Sequence, residues 1–417
     1  MRVLFIAPPF AGHLDRLVPL MQAAQEAGHE VRVLTGHARL PFLRARGIEA
    51  AAPPSLPMGA LEHVAEGFGR LHGRPHAGLA QLRANLALVV PLIGDLCQEI
   101  RNWRADVLVA DSVALMAGPA ATRMGIPWIT MLASPLSLYA PGGTPAFCGG
   151  WPPPRAWPGR ARDALGRFGH LVLREAVFAL VRRQLPPELL RPFRADGTEA
   201  IYSPFAILGL GMEELEFPRL WPPGFEMIGP LASAPAMDSV PDLPLARRRI
   251  FATLGTHLPW ARARWRTGLE EIAVARPDWL IVASEGRMEG DLDPSGSLST
   301  MTDAPNLLVV PRLCYARDLP RFDAVIHHGG TGIAYSAIAA GLPSLVVPHD
   351  FDQFDMAARI AWHRLGLRAG SLSGAARHLD RLLEGDWPAL PRFRAAAARY
   401  DPKARFLATL ERVTGSA

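Results

Sequence analysis

Short apolar runs, glycine or proline turns and amphipathic stretches alternate along this chain, a pattern that predicts parallel strands joined by helices rather than hairpins. Residues 2–7 read as a buried strand, 8–13 as the loop after it, 17–27 as a helix stopped by Gly28, and 30–35 as a second strand. Residues 40–47 and 48–51 read as a further helix and strand. Residues 53–75 read as loop, and 77–103 as a long helical stretch broken near Pro91. A strand over 106–110 ends at Asp111, a helix follows over 113–124, and 128–132 is strand again. The stretch 139–159, dense in Pro and Gly, carries Tyr139, Phe147, Trp151 and Trp157 and is long enough for a lid or a substrate wall. Residues 160–184 follow as a basic helix, and 206–210 and 227–228 as short strands.

The small, Pro-interrupted segment 232–243 reads as a linker, after which the alternation restarts. Strands are expected at 250–254, 280–283 and 307–310, with a helix over 260–275. The most regular unit is 323–366. It holds a strand at 324–326, the turn His327-His328-Gly329-Gly330-Thr331-Gly332, a helix stopped by Gly341, a strand at 344–347, and then Asp352 and Gln353 at the start of another helix. Glycines before a helix N-terminus let a ligand approach free N–H groups and the positive end of the helix dipole, which suits a phosphate. The expected organisation is 1–231, linker 232–243, 244–403, and a last helix within 404–417 that crosses back onto the first half.

Composition changes this picture little. At 417 residues and 49% hydrophobic, the chain is long enough for two cores. Cys97, Cys148 and Cys314 are odd in number, far apart and without metal-ligand spacing, which points to a reducing, cytoplasmic setting without disulfides. The run at the N-terminus, broken by Pro8-Pro9, fits a strand better than a signal peptide. The net charge of +5 invites a nucleic-acid reading, but the only lysine is Lys403 and the rest of the basic residues are arginine in an alanine-rich chain. That is compositional bias, and no nucleic-acid partner is expected. The charge is concentrated: from Arg155 to Arg194 nine arginines face three acids, Asp163, Glu175 and Glu188. Here Asp163, Arg167, His170 and Arg174 recur at helical spacing, while Leu165, Phe168, Val172 and Ala179 form another side. Contact of 160–194 with an anionic membrane surface at the inner face of the cell membrane is therefore one expectation, an ordinary surface helix the other.

In the first half, His13 stands at the carboxyl edge of the first strand and Asp111 at the end of a later one. A neutral histidine can take a proton in a transition state, and a carboxylate behind it orients the ring and stabilises the cation. The helix that follows is expected to hold His13 neutral through its positive end. Asp15 is a competing partner. The plain alternatives are a helix-capping loop residue for His13 and a helix N-cap for Asp111.

The segment His328-Gly329-Gly330 followed at this distance by Asp352-Gln353 resembles the donor signature of the family 1, GT-B-fold glycosyltransferases. That family includes rhamnolipid rhamnosyltransferases, zeaxanthin glucosyltransferases and bacterial natural-product glycosyltransferases. Gly12-His13, the segment LVADS around Asp111, EMIGPL at 226–231 and FATLGT at 251–256 are also similar to family segments. The resemblance implies an α/β fold of two Rossmann-like doubly wound domains facing across a cleft. It implies a nucleotide-sugar-dependent, inverting enzyme with no metal or other cofactor, acting on a hydrophobic acceptor. It places His13 and Asp111 in catalysis. Thr256, His328, Gly330, Thr331 and Gly332 fall on the donor diphosphate, and Asp352 and Gln353 on the sugar.

Three positions depart from the family pattern. Asp15-Arg16 stands where many members have Asn-Pro, Ser336 where most place a ribose-binding glutamate, and Val310-Pro311-Arg312 where a tryptophan segment stacks on the base. Pro311, Arg312 and Ser336 are thus the expected nucleoside contacts, with UDP and dTDP both open. Two rival readings remain, a catalytically silent nucleotide-sugar-binding accessory protein and a dinucleotide-dependent oxidoreductase. The second lacks a GxGxxG turn after the first strand.

Overall fold

The computed structural model describes residues 1–61, 75–139, 141–231, 243–256, 258–284, 286, 304–310 and 313–415. Nearly all of the expected linker, part of the 53–75 loop and the Pro311-Arg312 pair lie outside them.

The first half is a seven-stranded parallel sheet: β1 (Arg2–Ile6), β2 (Glu30–Leu34), β3 (Glu49–Ala51), β4 (Val107–Asp111), β5 (Trp128–Leu132), β6 (Ala206–Gly209) and β7 (Phe225–Met227), in the order β3-β2-β1-β4-β5-β6-β7. The second is six-stranded: β8 (Arg248–Thr253), β9 (Trp279–Ser284), β10 (Leu307–Val310), β11 (Ala324–His327), β12 (Ser344–Val346) and β13 (Gly366–Arg368), in the order β10-β9-β8-β11-β12-β13. Central strands such as β4, β5 and β11 are buried along their whole length, as parallel strands covered on both faces must be. In each sheet the order reverses beside its first strand, between β1 and β4 and between β8 and β11. Crevices at such reversals, outside the carboxyl ends of the strands, are where open α/β sheets bind ligands. The chain is an α/β protein of GT-B architecture.

Among the described residues the α-helices are α1 (Arg16–Glu26), α2 (Leu40–Arg44), α3 (Pro75–Ala87), α4 (Val89–Trp103), α5 (Ala117–Met124), α6 (Trp157–Val181), α7 (Arg262–Ala275), α8 (Tyr315–Asp318), α9 (Thr331–Ala340), α10 (Gln353–Trp362), α11 (Ala376–Glu384), α12 (Ala389–Ala397) and α13 (Pro402–Gly415). The break in the long helical stretch falls at Leu88, not at Pro91. Pro91 sits in the first turn of α4, where its missing N–H has no helical partner to lose. The span Ala80–Trp103 is long and apolar enough to cross a membrane, with a mean hydropathy of 1.3. Here Leu86, Val89, Leu92, Leu96 and Ile100 pack against one face of the first sheet. Strand β13 and helices α11 and α12 were not expected. Helix α13 returns to the first half, where Phe406 meets Phe5 with ring centroids 6.0 Å apart and Leu410 and Val413 join the same core.

Helix α6 reverses one expectation. Three of its four arginines turn inward: Arg167 donates to the Gly143 carbonyl at 2.6 Å, Arg162 to Asp163 and to the Pro152 carbonyl, and Arg174 to Glu199 while lying over the ring of Tyr139, whereas Arg160 is exposed. The loop beneath the helix lacks ladder partners for its carbonyls, and these side chains supply the donors. The apolar side therefore faces solvent, with Leu165 72% and Phe168 63% exposed and Trp157, Val172, Leu173 and Leu180 beside them.

The two halves are joined by buried polar contacts. Glu216 lies between Arg359 at 2.8 Å and Arg219 at 3.6 Å, all three side chains 3% exposed. Tyr400 donates its hydroxyl to Glu214 at 3.0 Å. The Pro-rich loop also reaches across: the Phe147 N–H donates to Asp355 at 2.8 Å, and Arg368 donates to the Gly149 carbonyl at 3.1 Å.

Candidate active site

One cavity of about 780 Å³ lies between the carboxyl edges of the two sheets. Its lining joins the loops after β1, β4 and β5 to those after β8, β11 and β12.

On the first side, β1 and β4 are hydrogen-bonded neighbours with Ile6 opposite Ala110, so the residues that follow them meet at the strand-order reversal. His13 lies in a π-helical turn, Ala11–Asp15, that runs into α1. Its Nδ1 is 3.0 Å from both carboxylate oxygens of Asp111, whose side chain is 1% exposed against 28% for His13. Asp111 Oδ1 also accepts the Val113 N–H at 3.0 Å, so the same carboxylate fixes the turn after β4. Burial opposes protonation of His13, but the charge and hydrogen bond of Asp111 outweigh it and hold the pKa above the usual 6.5. The contacting carboxylate thus pulls the pKa of His13 in the direction opposite to that expected of the helix end. Asp15 is not a partner of this ring; it forms a buried ion pair with Arg39.

On the second side, β8 and β11 are neighbours with Thr253 opposite His327, which brings Thr256 and His328 together. The ring of His328 lies over two glycines. A Cβ at Gly255 would come within 2.6 Å of the ring, and one at Gly330 within 2.5 Å. Gly330, in extended conformation, is the N-cap of α9, and Thr331 and Gly332 open its first turn toward the cavity. At Gly329 (φ 101°) a Cβ would sit 2.8 Å from the Gln353 carbonyl, so glycine sets the spacing between the phosphate-type turn and the next loop. His327 is fully buried, accepts the Gly329 N–H at Nδ1 and has its pKa pushed down to about 3 by burial, so it is neutral and structural.

Asp352 and Gln353 line the cavity at the start of α10. The Gln353 carbonyl oxygen of the side chain accepts the N–H groups of His349 at 2.9 Å and Asp350 at 3.1 Å. Asp352 accepts the Ser134 hydroxyl from the other half, and burial raises its pKa. Phe351, just before it, has φ 47°, a left-handed conformation that is a genuine outlier for a bulky residue. Ser336 does not line the cavity; its hydroxyl returns to the Gly332 carbonyl at 2.8 Å within α9. Pro311 and Arg312 lie outside the described residues.

Sequence reasoning missed Arg16, Ser134, Gly255, Trp260 and Tyr315, all in the cavity lining. Aromatic residues within reading distance of the glycine turns were the one available signal for Trp260 and Tyr315. The remaining wall is apolar, built by Leu82, Leu86, Val89 and Leu92 of α3 and α4 with Val113 and Met116, and relieved by Asn85 and Tyr202. Among the described residues, no group of three His, Cys, Asp or Glu side chains is arranged to hold a metal ion.

Comparison with known proteins places this geometry among relatives. The model of the erythromycin biosynthesis protein CIII-like C-terminal domain matches residues 293–383. L-demethylnoviosyl transferase of Streptomyces niveus is 29% identical, covering 88% of this chain and 84% of its own length. The 4'-demethylrebeccamycin synthase of Lentzea aerocolonigenes is 28% identical over 95% and 94%, and the zeaxanthin glucosyltransferase of Pseudescherichia vulneris 28% identical over 91% and 88%. Among solved structures, the glycotransferase of kitacinnamycin superposes with a TM-score of 0.71 at 20% identity, covering 99% of this chain and 98% of its own. The spinosyn rhamnosyltransferase SpnG, complexed with thymidine diphosphate, superposes with a TM-score of 0.65 at 20% identity, covering 99% and 100%.

Proposed function

We propose that this chain, like the glycosyltransferases it is similar to, uses a nucleotide sugar and moves a hexosyl group, with inversion and without a metal, from a dTDP- or UDP-sugar to a hydroxyl of a hydrophobic natural-product or lipid-like acceptor. The carrying observation is that one cavity holds the His13–Asp111 pair, an open helix N-terminus and an apolar wall together.

With Nδ1 on Asp111, Nε2 of His13 remains for the acceptor hydroxyl. As the acceptor oxygen bonds to the anomeric carbon, its proton passes to Nε2, and the C–O bond to the diphosphate breaks with its electron pair leaving on the phosphate oxygen. Attack and departure on opposite faces invert the centre. The N-terminus of α9 and His328 face the leaving group and stabilise its charge, while Asp352 and Gln353 take the sugar hydroxyls. In this reading 1–231 binds the acceptor and 244–403 the nucleotide sugar. The apolar wall of α3 and α4 favours an uncharged aglycone, and relatives named for carotenoid and natural-product substrates support the same class. Thymidine diphosphate in related solved structures supports dTDP as a donor nucleotide. The intact His13–Asp111 pair favours an active enzyme over a silent accessory protein. The test is a transfer assay with dTDP- and UDP-hexoses and apolar alcohols, run with and without EDTA and read by NMR at the anomeric centre. A product of retained configuration, or activity abolished by EDTA and restored by a divalent ion, would overturn the mechanism.

Contact with a membrane surface from the cytoplasmic side is supported by α6, in a revised form. The exposed apolar stripe from Trp157 to Leu180 enters the headgroup boundary, and the exposed Arg155, Arg160, Arg182 and Arg183 at its two ends meet anionic lipid. Co-sedimentation with anionic vesicles should fall when Leu165 and Phe168 become Ser. Self-association through this face, with no vesicle binding, would assign it to a second copy instead.

A further inference from the structure

Among the described residues, Arg16 is a buried cation held by neutral oxygens alone. Its side chain opens α1, one helical turn after His13, and the residue is 2% exposed. Nη1 donates to the Ala133 carbonyl and, across the cleft, to Thr331 Oγ1 at 2.7 Å; Nη2 donates to the Leu210 carbonyl at 3.0 Å. Nε is buried with no partner. Its charge is drawn to Asp111 and Asp352 at longer range, yet among the described residues no carboxylate contacts it. Arg39, also buried, shows the contrast, being paired with Asp15. A buried cation without a contacting anion is costly, and proteins pair or expel such charges. Burial lowers the pKa of Arg16 to about 10, which leaves it charged at neutral pH.

The place of this charge gives it a use. Thr331 is the first residue of α9, where the helix N-terminus opens toward the cavity, and Arg16 itself lines that cavity. We propose that Arg16 is the counter-ion of the donor diphosphate, supplied by the acceptor-binding half to the nucleotide-binding half. This inference rests on the cavity being the nucleotide-sugar site. With donor bound, a phosphate oxygen joins or replaces the Thr331 hydroxyl as the acceptor of Nη1. When the anomeric C–O bond breaks, the electron pair that stays on the phosphate oxygen develops beside a guanidinium in a low-dielectric cleft. Charge neutralisation and the meeting of the two halves are thereby one event, since a nucleotide held by the second half alone lacks the cation.

Titration calorimetry with dTDP and with thymidine tests this on the whole chain and on Arg16→Gln and Arg16→Lys. Binding of dTDP is expected to weaken about tenfold or more in Arg16→Gln with thymidine affinity changed less than about twofold, the scale of a lost charge-assisted hydrogen bond. Arg16→Lys, which keeps the charge, should restore most of the dTDP affinity. The acid limb of kcat/KM should move to higher pH in Arg16→Gln, because the cation opposes protonation of His13, a shift that a packing role would not produce. Equal losses for dTDP and thymidine, or undiminished dTDP binding in Arg16→Gln, overturn the proposal. If Arg16→Gln does not fold, a Lys variant that folds and yet binds dTDP tenfold more weakly while keeping thymidine affinity shows that charge is not what Arg16 supplies. Failure of the native chain to bind either nucleotide would instead refute the nucleotide-sugar reading.

Discussion

Asp111 presents both carboxylate oxygens to Nδ1 of His13 at 3.0 Å from the end of the strand next to the one His13 follows. The carboxylate holds the pKa of His13 above 6.5 against burial. A general base must be neutral, so kcat/KM rises with pH through that raised pKa. Asp111→Asn leaves burial opposed only by the weaker pull of Asp352, and the acid limb should move to lower pH while the plateau falls, since the imidazolium formed in the transition state loses its partner. A pH–rate profile that falls in amplitude without moving would show that Asp111 only fixes the turn through Val113.

Asp352, in the second half, touches the first through the Ser134 hydroxyl. If it grips sugar hydroxyls, Asp352→Ala lowers kcat/KM for the nucleotide sugar by about 10- to 100-fold, the scale of ~1.5–3 kcal/mol for a hydrogen bond to a charged group. Calorimetry with dTDP, which lacks the sugar, should show affinity nearly unchanged. Comparable losses with dTDP would place Asp352 in the architecture of the cleft instead.

Ser336 keeps its hydroxyl on the Gly332 carbonyl and offers no carboxylate to a ribose. Discrimination for the 2′-OH should therefore be weak, with dTDP bound at least as tightly as UDP. A strong preference for UDP in side-by-side titrations contradicts this.

Glu216 neutralises Arg359 and Arg219 where the halves meet. Glu216→Ala leaves two buried cations without their carboxylate, and removal of one partner from such a group costs about 3–5 kcal/mol. A matching fall in the denaturant midpoint is expected. A loss below about 1 kcal/mol would mean that water reaches these arginines.

What could be read in the sequence was local. His328, the glycine turn and α9 lie within a few residues of one another, and β4 ends visibly at Asp111, so the alternation of strands and helices and the two strand-end sites followed from spacing, while the strand order did not. Arg16 and Ser134 could not be found this way. Their partners across the cleft, Thr331 and Asp352, are 315 and 218 residues distant, and nothing in the intervening chain encodes the approach. The orientation of α6 was hidden for a related reason. Both of its sides look able to face inward, and the decision belongs to acceptors elsewhere, the Gly143 carbonyl and Glu199. Gly255 reads as an ordinary strand-end turn until the His328 ring is seen against it.

The decisive measurement is turnover of His13→Ala beside dTDP binding by the same protein, in a mass-spectrometric assay of dTDP-sugars and apolar alcohols. Transfer with His13 as base requires that the variant bind dTDP nearly as the native chain does while turnover falls by ~10²-fold or more, the scale of a lost general base. Near-native turnover by His13→Ala with an acceptor that the native enzyme glycosylates would mean that another group removes the proton and that the proposed mechanism is wrong.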